Sequence, residues 1–154
     1  MELHTFSVVA RDPHGAVGVA VCTARPNVGS LVPWVSLRGA IATQARVDTN
    51  LGRHGIALLD QDVAVDTALL SLLGKDPERE KRQVHGVDLK RGFVHTGNEC
   101  VPWAGHEQGP DYSVAGNMLA GPQVIGAMAG AFRRTASLEL AERLVMVLIG
   151  RAHV

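Results

Sequence analysis

The stretch TFSVVARDPHGAVGVAVCT, residues 5–23, sets two β patterns around one turn signal. Residues 5–11 and 16–23 both predict strands, being rich in valine and bounded by turn residues. Side chains alternate along a strand, so Val17, Val19 and Val21 fall on one face and Gly18, Ala20 and Cys22 on the other. The second face is small enough for another layer to approach closely, and the strand is expected to be buried. Between the strands, Asp12-Pro13-His14-Gly15 places Asp first, Pro second and Gly fourth in a type I turn. The chain is expected to open with an antiparallel hairpin.

The order of elements beyond the hairpin follows from similar signals. A Pro- and Gly-containing loop over 26–33 leads to one extended run, Val35–Ala45, expected as a third strand. Helices are predicted over Thr49–Leu59 and Asp62–Leu73, the second capped by Asp62 and stopped by Gly74. Gln83–Leu89 and Phe93–Thr96 predict a second hairpin through Lys90-Arg91-Gly92, and Tyr112–Ala115 a short strand after a long polar loop, 97–111. Pro122 opens a helix with Val124, Ile125, Met128 and Phe132 on one face, and Ser137 is expected to cap a last helix carrying Leu140, Leu144 and Leu148. Strands, helices, strands, helices is the order of a layered α+β fold, not of βαβ repeats. At 154 residues and 46% apolar content, the chain fits one domain, residues 1–154.

Charge and special residues narrow the function classes. Fifteen Lys and Arg balance fifteen Asp and Glu, leaving no net field to gather nucleic acid or acidic membranes. The run from Lys75 to Arg82 alternates in sign and reads as a solvated face. No basic lead precedes an apolar stretch at the N-terminus, and no window approaches the ~20 apolar residues of a membrane span, so a cytoplasmic protein is expected. Cys22 and Cys100 are too few for a disulfide scaffold and are expected to be free thiols. His85, His95 and His106 lack zinc-site spacing, and neither a G-x-G-x-x-G nor a Walker pattern occurs, so no metal and no nucleotide cofactor is expected.

Four stretches in order resemble one bacterial and archaeal family, the domain of unknown function 1028 family. They are Thr5 to Pro13; Val32-Pro33-Trp34 leading to Gly39-Ala40-Ile41-Ala42-Thr43-Gln44-Ala45; His95-Thr96-Gly97 with Cys100 and Trp103-Ala104-Gly105-His106; and Gly116-Asn117-Met118-Leu119-Ala120-Gly121-Pro122. The family is grouped by fold with the N-terminal-nucleophile hydrolases. The resemblance therefore implies a four-layer αββα sandwich, two antiparallel sheets between two helix layers, with Thr5 as the nucleophile position. Two departures stand out. Met1-Glu2-Leu3-His4 precedes Thr5, where many similar sequences begin Met-Thr, and the family usually continues past the last helix into further strand sequence. A missing closing strand would leave an open edge, so a homo-oligomer is expected.

In an N-terminal-nucleophile enzyme the hydroxyl of residue one attacks an amide carbonyl and its own α-amine, pKa about 8, is the general base. Thr5 is the candidate nucleophile and Asn117, beside Gly116, the candidate oxyanion donor. Arg25, Thr43, Gln44 and His106 are candidate groups for binding a small-molecule substrate. Cys100 with His106 forms a weaker thiol–imidazole candidate. Two functions follow as expectations: an amidohydrolase acting on a small amide or peptide-like substrate, or a non-catalytic binding or assembly module on the same scaffold. On the second reading Thr5 is an ordinary β-branched strand residue.

Overall fold

The computed structural model describes residues 4–150. Strands β1 (Thr5–Arg11) and β2 (Val17–Thr23) form the opening hairpin, with Thr5 opposite Thr23 and Arg11 opposite Val17. Its turn is closed by Asp12, whose carbonyl accepts from the Gly15 amide and whose Oδ1 accepts from the amides of His14 and Ala16. Gly15 sits at φ +90°, a conformation glycine adopts without steric cost. Four further strands make a separate sheet: β3 (Pro33–Val35), β4 (Gly39–Ala45), β5 (Arg82–Asp88) and β6 (Gly92–Thr96). Strands β7 (Gly105–Gln108) and β8 (Tyr112–Asn117) return to the first. The result is two antiparallel four-stranded sheets, ordered β2-β1-β8-β7 and β3-β4-β5-β6.

Helices α1 (Thr49–Leu59) and α2 (Val65–Leu73) cover the second sheet; α3 (Pro122–Arg134) and α4 (Leu140–Gly150) cover the first. Strand alternation explains this. On β1, Phe6, Val8 and Ala10 pack with Ile125, Met128 and Leu144 from the helices, while Val9 turns inward with Ala40, Ala42 and Val87 of the other sheet. On β2 the expected division holds: the valines line the space between the sheets, and Ala20 and Cys22 face the helices. A Cβ added at Gly18 would lie 2.7 Å from Leu144 Cδ1, so its missing side chain is what lets α4 sit down on β2. Among the described residues no helix is long and apolar enough to cross a membrane. Cys22 and Cys100 are free.

Several expected elements differ. Residues 35–45 are not one strand: the chain folds back at 36–38, where the Ser36 amide donates to the Gly39 carbonyl and Ser36 Oγ accepts from the Arg38 amide. Asp62 does not cap α2; it lies at φ +63°, and the amide of Val65 is met instead by Asp88 Oδ2, at 2.9 Å from the neighbouring sheet. Helix α4 starts at Leu140, too far along for Ser137 to cap it, and β2 is an edge strand, half-buried throughout. The loop 97–111 contains β7, which has no β-branched residue to announce it and is fixed by pairing with β8.

Candidate functional site

The facing surfaces of the two sheets change character along their length. At one end they present Val9, Ala40 and Val87; toward the other come Ser7, Gln44, Gln83, His85 and Ser113, all fully buried. An unpaired polar group here would cost about 1–3 kcal/mol, so the partners matter. Ser7 Oγ donates to Gln44 Oε1 (2.7 Å), Gln44 Nε2 to Gln83 Oε1 (2.8 Å), and Gln83 Nε2 to Thr96 Oγ1 (2.9 Å) and the Gly116 carbonyl (2.9 Å). His85 Nε2 lies 2.7 Å from Ser7 Oγ and its Nδ1 lies 2.8 Å from Ser113 Oγ. Ser7 has one hydroxyl proton, already given to Gln44, so His85 Nε2 is the donor to Ser7 and Nδ1 accepts from Ser113. Burial with neutral partners holds the imidazole uncharged and lowers its pKa to about 3, with the nearby His106 adding to the effect.

This polar tier ends at a cavity of about 470 Å³. It lies where β1 begins and β2, β4 and β8 end, and Thr5, Arg25, Arg46, Lys81, Glu99 and Asn117 line it. Thr5 is 5% exposed and pairs with Thr23 on one side and Asn117 on the other. The Thr5 and Thr23 hydroxyls share a hydrogen bond of 2.9 Å, and Thr23 Oγ1 also accepts from the Arg25 amide. Asn117 Nδ2 donates to Gln83 Oε1 at 3.1 Å, so the buried tier fixes the orientation of its amide.

The cavity wall is held from beneath. Arg82, its side chain 7% exposed, donates to Asp76 at 2.7 Å and to the Arg46 carbonyl at 2.8 Å; the bond to Asp76 holds that carboxyl below and the guanidinium above their ordinary pKa values. The Arg82 carbonyl in turn accepts from the Gly97 amide and from Cys100 Sγ. Backbone strain concentrates here. Ala45 (φ +66°) and Met118 (φ +56°) line the cavity, and Asn27 (φ +66°) lies in the loop bringing Arg25 and Val28 to it. Non-glycine residues reach this region at a cost of about 1–3 kcal/mol each, and such residues cluster at functional sites.

Of the residues expected at a site, Thr5, Asn117 and Arg25 meet at this cavity. Thr43 points to the helix side of β4, where its hydroxyl donates to the Asp48 carbonyl, and Gln44 is sealed in the buried tier. His106 lines a different cavity, of about 500 Å³, with Thr96 and Trp103; its Nδ1 bonds Thr96 Oγ1 at 2.8 Å, and desolvation, then His95, lowers its pKa. Burial raises the pKa of the Cys100 thiol, which makes it a poor nucleophile, and it bonds Arg82 rather than His106. Among the described residues no three His, Cys, Asp or Glu converge to hold a metal. Gln83, His85 and Ser113 were not anticipated. Part of their signal is in the sequence, since Gln83, His85 and Val87 alternate onto one face of β5, while the other carries Val84 and Gly86 between the charged ends Arg82 and Asp88.

These features define a mixed α/β protein of two antiparallel sheets with a polar, strained cavity at one end. The chain belongs to the family of unknown function DUF1028, whose sequence profile matches residues 5–152. It is similar to the protein SPO2555 from Silicibacter pomeroyi, whose crystal structure carries the same family label: 31% identity and a TM-score of 0.90 over 97% of this chain and 70% of that one. None of the curated proteins matches the chain.

Proposed function

We propose that the protein is an N-terminal-nucleophile-type amidohydrolase, its sheets and helices layered as in those enzymes, that acts on a small amide or peptide-like substrate once Thr5 is the first residue. The observation carrying this reading is the position of Thr5: first residue of an inner strand, at the floor of the cavity, directly opposite Asn117. With a free α-amine, that amine takes the Thr5 hydroxyl proton as Oγ1 attacks the substrate carbonyl carbon. The Asn117 N–H not used by Gln83 stabilises the developing oxyanion. The C–N bond then breaks, the leaving amine takes the proton from the Thr5 ammonium, and water hydrolyses the Thr5 ester to release the acid and restore the hydroxyl. Arg25 binds a substrate carboxylate. No cofactor enters this scheme.

One observation favours the alternative, a non-catalytic binding or assembly module. Thr5 is joined to His4, whose carbonyl accepts from the Ala24 amide at 3.1 Å, so the chain before Thr5 continues the β1–β2 ladder. A chain trimmed to begin at Thr5 and assayed on a panel of small amides separates the two. The trimmed protein is expected to gain hydrolysis that Thr5→Ala removes, the missing general base being worth roughly 10²–10⁴ in rate. Hydrolysis by the untrimmed protein that survives Thr5→Ala would end the nucleophile assignment.

We place this activity in the cytoplasm, without nucleic-acid or membrane partners, and in a homo-oligomer. The balanced charge supports the absence of nucleic-acid and acidic-membrane partners. Leu138 and, on α4, Val145, Met146 and Ile149, each at least 40% exposed along one side, support the last.

A further inference from the structure

We propose that Gln83 is a positioning residue for the Thr5 site: it turns an N–H of Asn117 toward the cavity, where that group receives the carbonyl oxygen of the substrate. The inference deepens the hydrolase reading and rests on it. An asparagine side chain ends in one oxygen and one nitrogen of nearly equal size, and a half-turn about its last torsion exchanges an acceptor for a donor. A donor in the cavity wall stabilises a developing oxyanion, whereas an acceptor in the same place repels it. Asn117 is 4% exposed and stands opposite Thr5 in the strand register. One N–H of its side chain goes to Gln83, and among the described residues that side chain makes no other hydrogen bond, so the second N–H is left for the cavity.

Gln83 decides which way that amide stands. Its own side chain is fully buried on β5 and reaches across to β7 and β8 of the other sheet. There Nε2 lies 3.1 Å from the Gly105 carbonyl and 2.9 Å from the Gly116 carbonyl. A backbone carbonyl only accepts, so the nitrogen end of the amide must stand between them; turned over, Gln83 would set oxygen against oxygen twice. Thr96 Oγ1, also 2.9 Å from Nε2, does not bear on this choice, because a hydroxyl serves in either role. With its nitrogen committed, Gln83 offers Oε1 in the other direction, and two donors converge on it: Gln44 Nε2 at 2.8 Å and Asn117 Nδ2 at 3.1 Å. Polarity thus runs from two strand carbonyls, through one buried amide, to the cavity wall. If Oε1 were removed, the Gln44 N–H would lack its acceptor and would favour a reversed Asn117 with Oδ1 inward, taking the N–H away from its place in the cavity.

Neutron diffraction from deuterated crystals of the full chain locates these hydrogens and needs no free Thr5 amine. It should show the deuterons of Gln83 Nε2 toward the strand carbonyls, one deuteron of Asn117 Nδ2 toward Gln83 and the other facing the cavity. In Gln83→Met the Asn117 amide should be reversed. An Asn117 oxygen set toward Gln83 in the wild type, or an orientation unchanged in Gln83→Met, would overturn the proposal. In the trimmed chain, Gln83→Met should lower kcat about tenfold or more, towards the roughly 10²–10³ of losing an oxyanion donor outright, with KM changed by less than about twofold. Gln83→Glu keeps an oxygen before Asn117 in either protonation state, and Thr96→Val removes a partner of the Gln83 amide but neither carbonyl; both should retain kcat within about threefold. A loss divided equally between kcat and KM, no rescue by Gln83→Glu, or a loss in Thr96→Val as large as in Gln83→Met marks general destabilisation and overturns the proposal. Where Gln83→Met does not fold, the wild-type neutron map and the Gln83→Glu kinetics still decide. A trimmed chain that hydrolyses nothing while both neutron results hold refutes the hydrolase reading and leaves the control of Asn117 by Gln83 standing.

Discussion

Acidification should loosen this protein well before its carboxylates titrate, because of His85. The ring is fully buried between Ser7 and Ser113, with the imidazole pKa lowered to about 3, whereas an unfolded histidine titrates at about 6.5. The native state then stays unprotonated at this position while the unfolded state takes up a proton. The contribution is complete above pH 6.5 and is lost as pH falls from there towards 3. Between pH 7.5 and 5 the difference in proton binding integrates to about 2 kcal/mol, or roughly 4–8 °C in Tm for a chain of this size. Urea unfolding of the wild type and of His85→Gln at several pH values in that window isolates the effect, since the other histidines, His106 included, contribute to both proteins. The wild-type curve should fall by about 2 kcal/mol more than that of the variant. Equal pH dependence would refute the reasoning. So would a folded-state NMR titration of the His85 ring with a midpoint near 6.5, a measurement that stands even if the variant fails to fold.

Three other outcomes follow from the geometry. Asp76→Ala leaves Arg82 buried without its closest carboxylate and should cost about 3 kcal/mol in urea unfolding, whereas Glu80→Ala, on the exposed side of the same segment, should cost under about 1 kcal/mol. Gly97→Ala places a Cβ against the Glu80 backbone, which a rigid turn cannot yield to; a loss of about 2 kcal/mol or more is expected, with faster amide exchange over 97–101. Val145→Asp with Ile149→Asp should convert the protein to a monomer in sedimentation analysis if the apolar side of α4 is the subunit contact, and should leave a monomer unchanged otherwise.

The legible parts of the fold are those written in neighbouring residues. The opening hairpin could be drawn because Asp12 and Gly15 supply the turn chemistry locally, and the contrast of Val17, Val19 and Val21 with Gly18 and Ala20 already sorts the two faces of β2. Strand β7 was hidden because its sequence, GHEQ, has no strand preference and forms only where β8 offers a partner. The 36–38 reversal depends on a serine side chain bonding its own loop, a weaker sign than Gly or Pro. At the site, resemblance selects Thr5, whereas Asn117 is marked by its Gly-Asn turn ahead of Pro122 and Arg25 by its place after β2, beside the start of β1 in the hairpin. Thr43 and Gln44 are separable by pattern alone, because adjacent strand residues face opposite ways and only one of them can point at the other sheet. The tier from Ser113 to Gln83 needs four strands from two sheets, a juxtaposition that no single stretch encodes.

The strand orders also bear on how the protein folds. Strands β3 to β6, with α1 and α2, occupy one unbroken stretch of chain, whereas the other sheet joins β1 to β8, with Thr5 paired to Asn117 across that whole insertion. Hairpins and short helical crossovers close small loops, but the β1–β8 pairing must close a very long one, and such contacts slow the crossing of the folding barrier. The inserted unit is therefore expected to organise early and the outer sheet to shut around it late. Until that last step Ser7, Gln83 and His85 keep their water, so the nascent protein should collapse first on its valines and expel solvent from the polar tier only as the two ends of the chain meet.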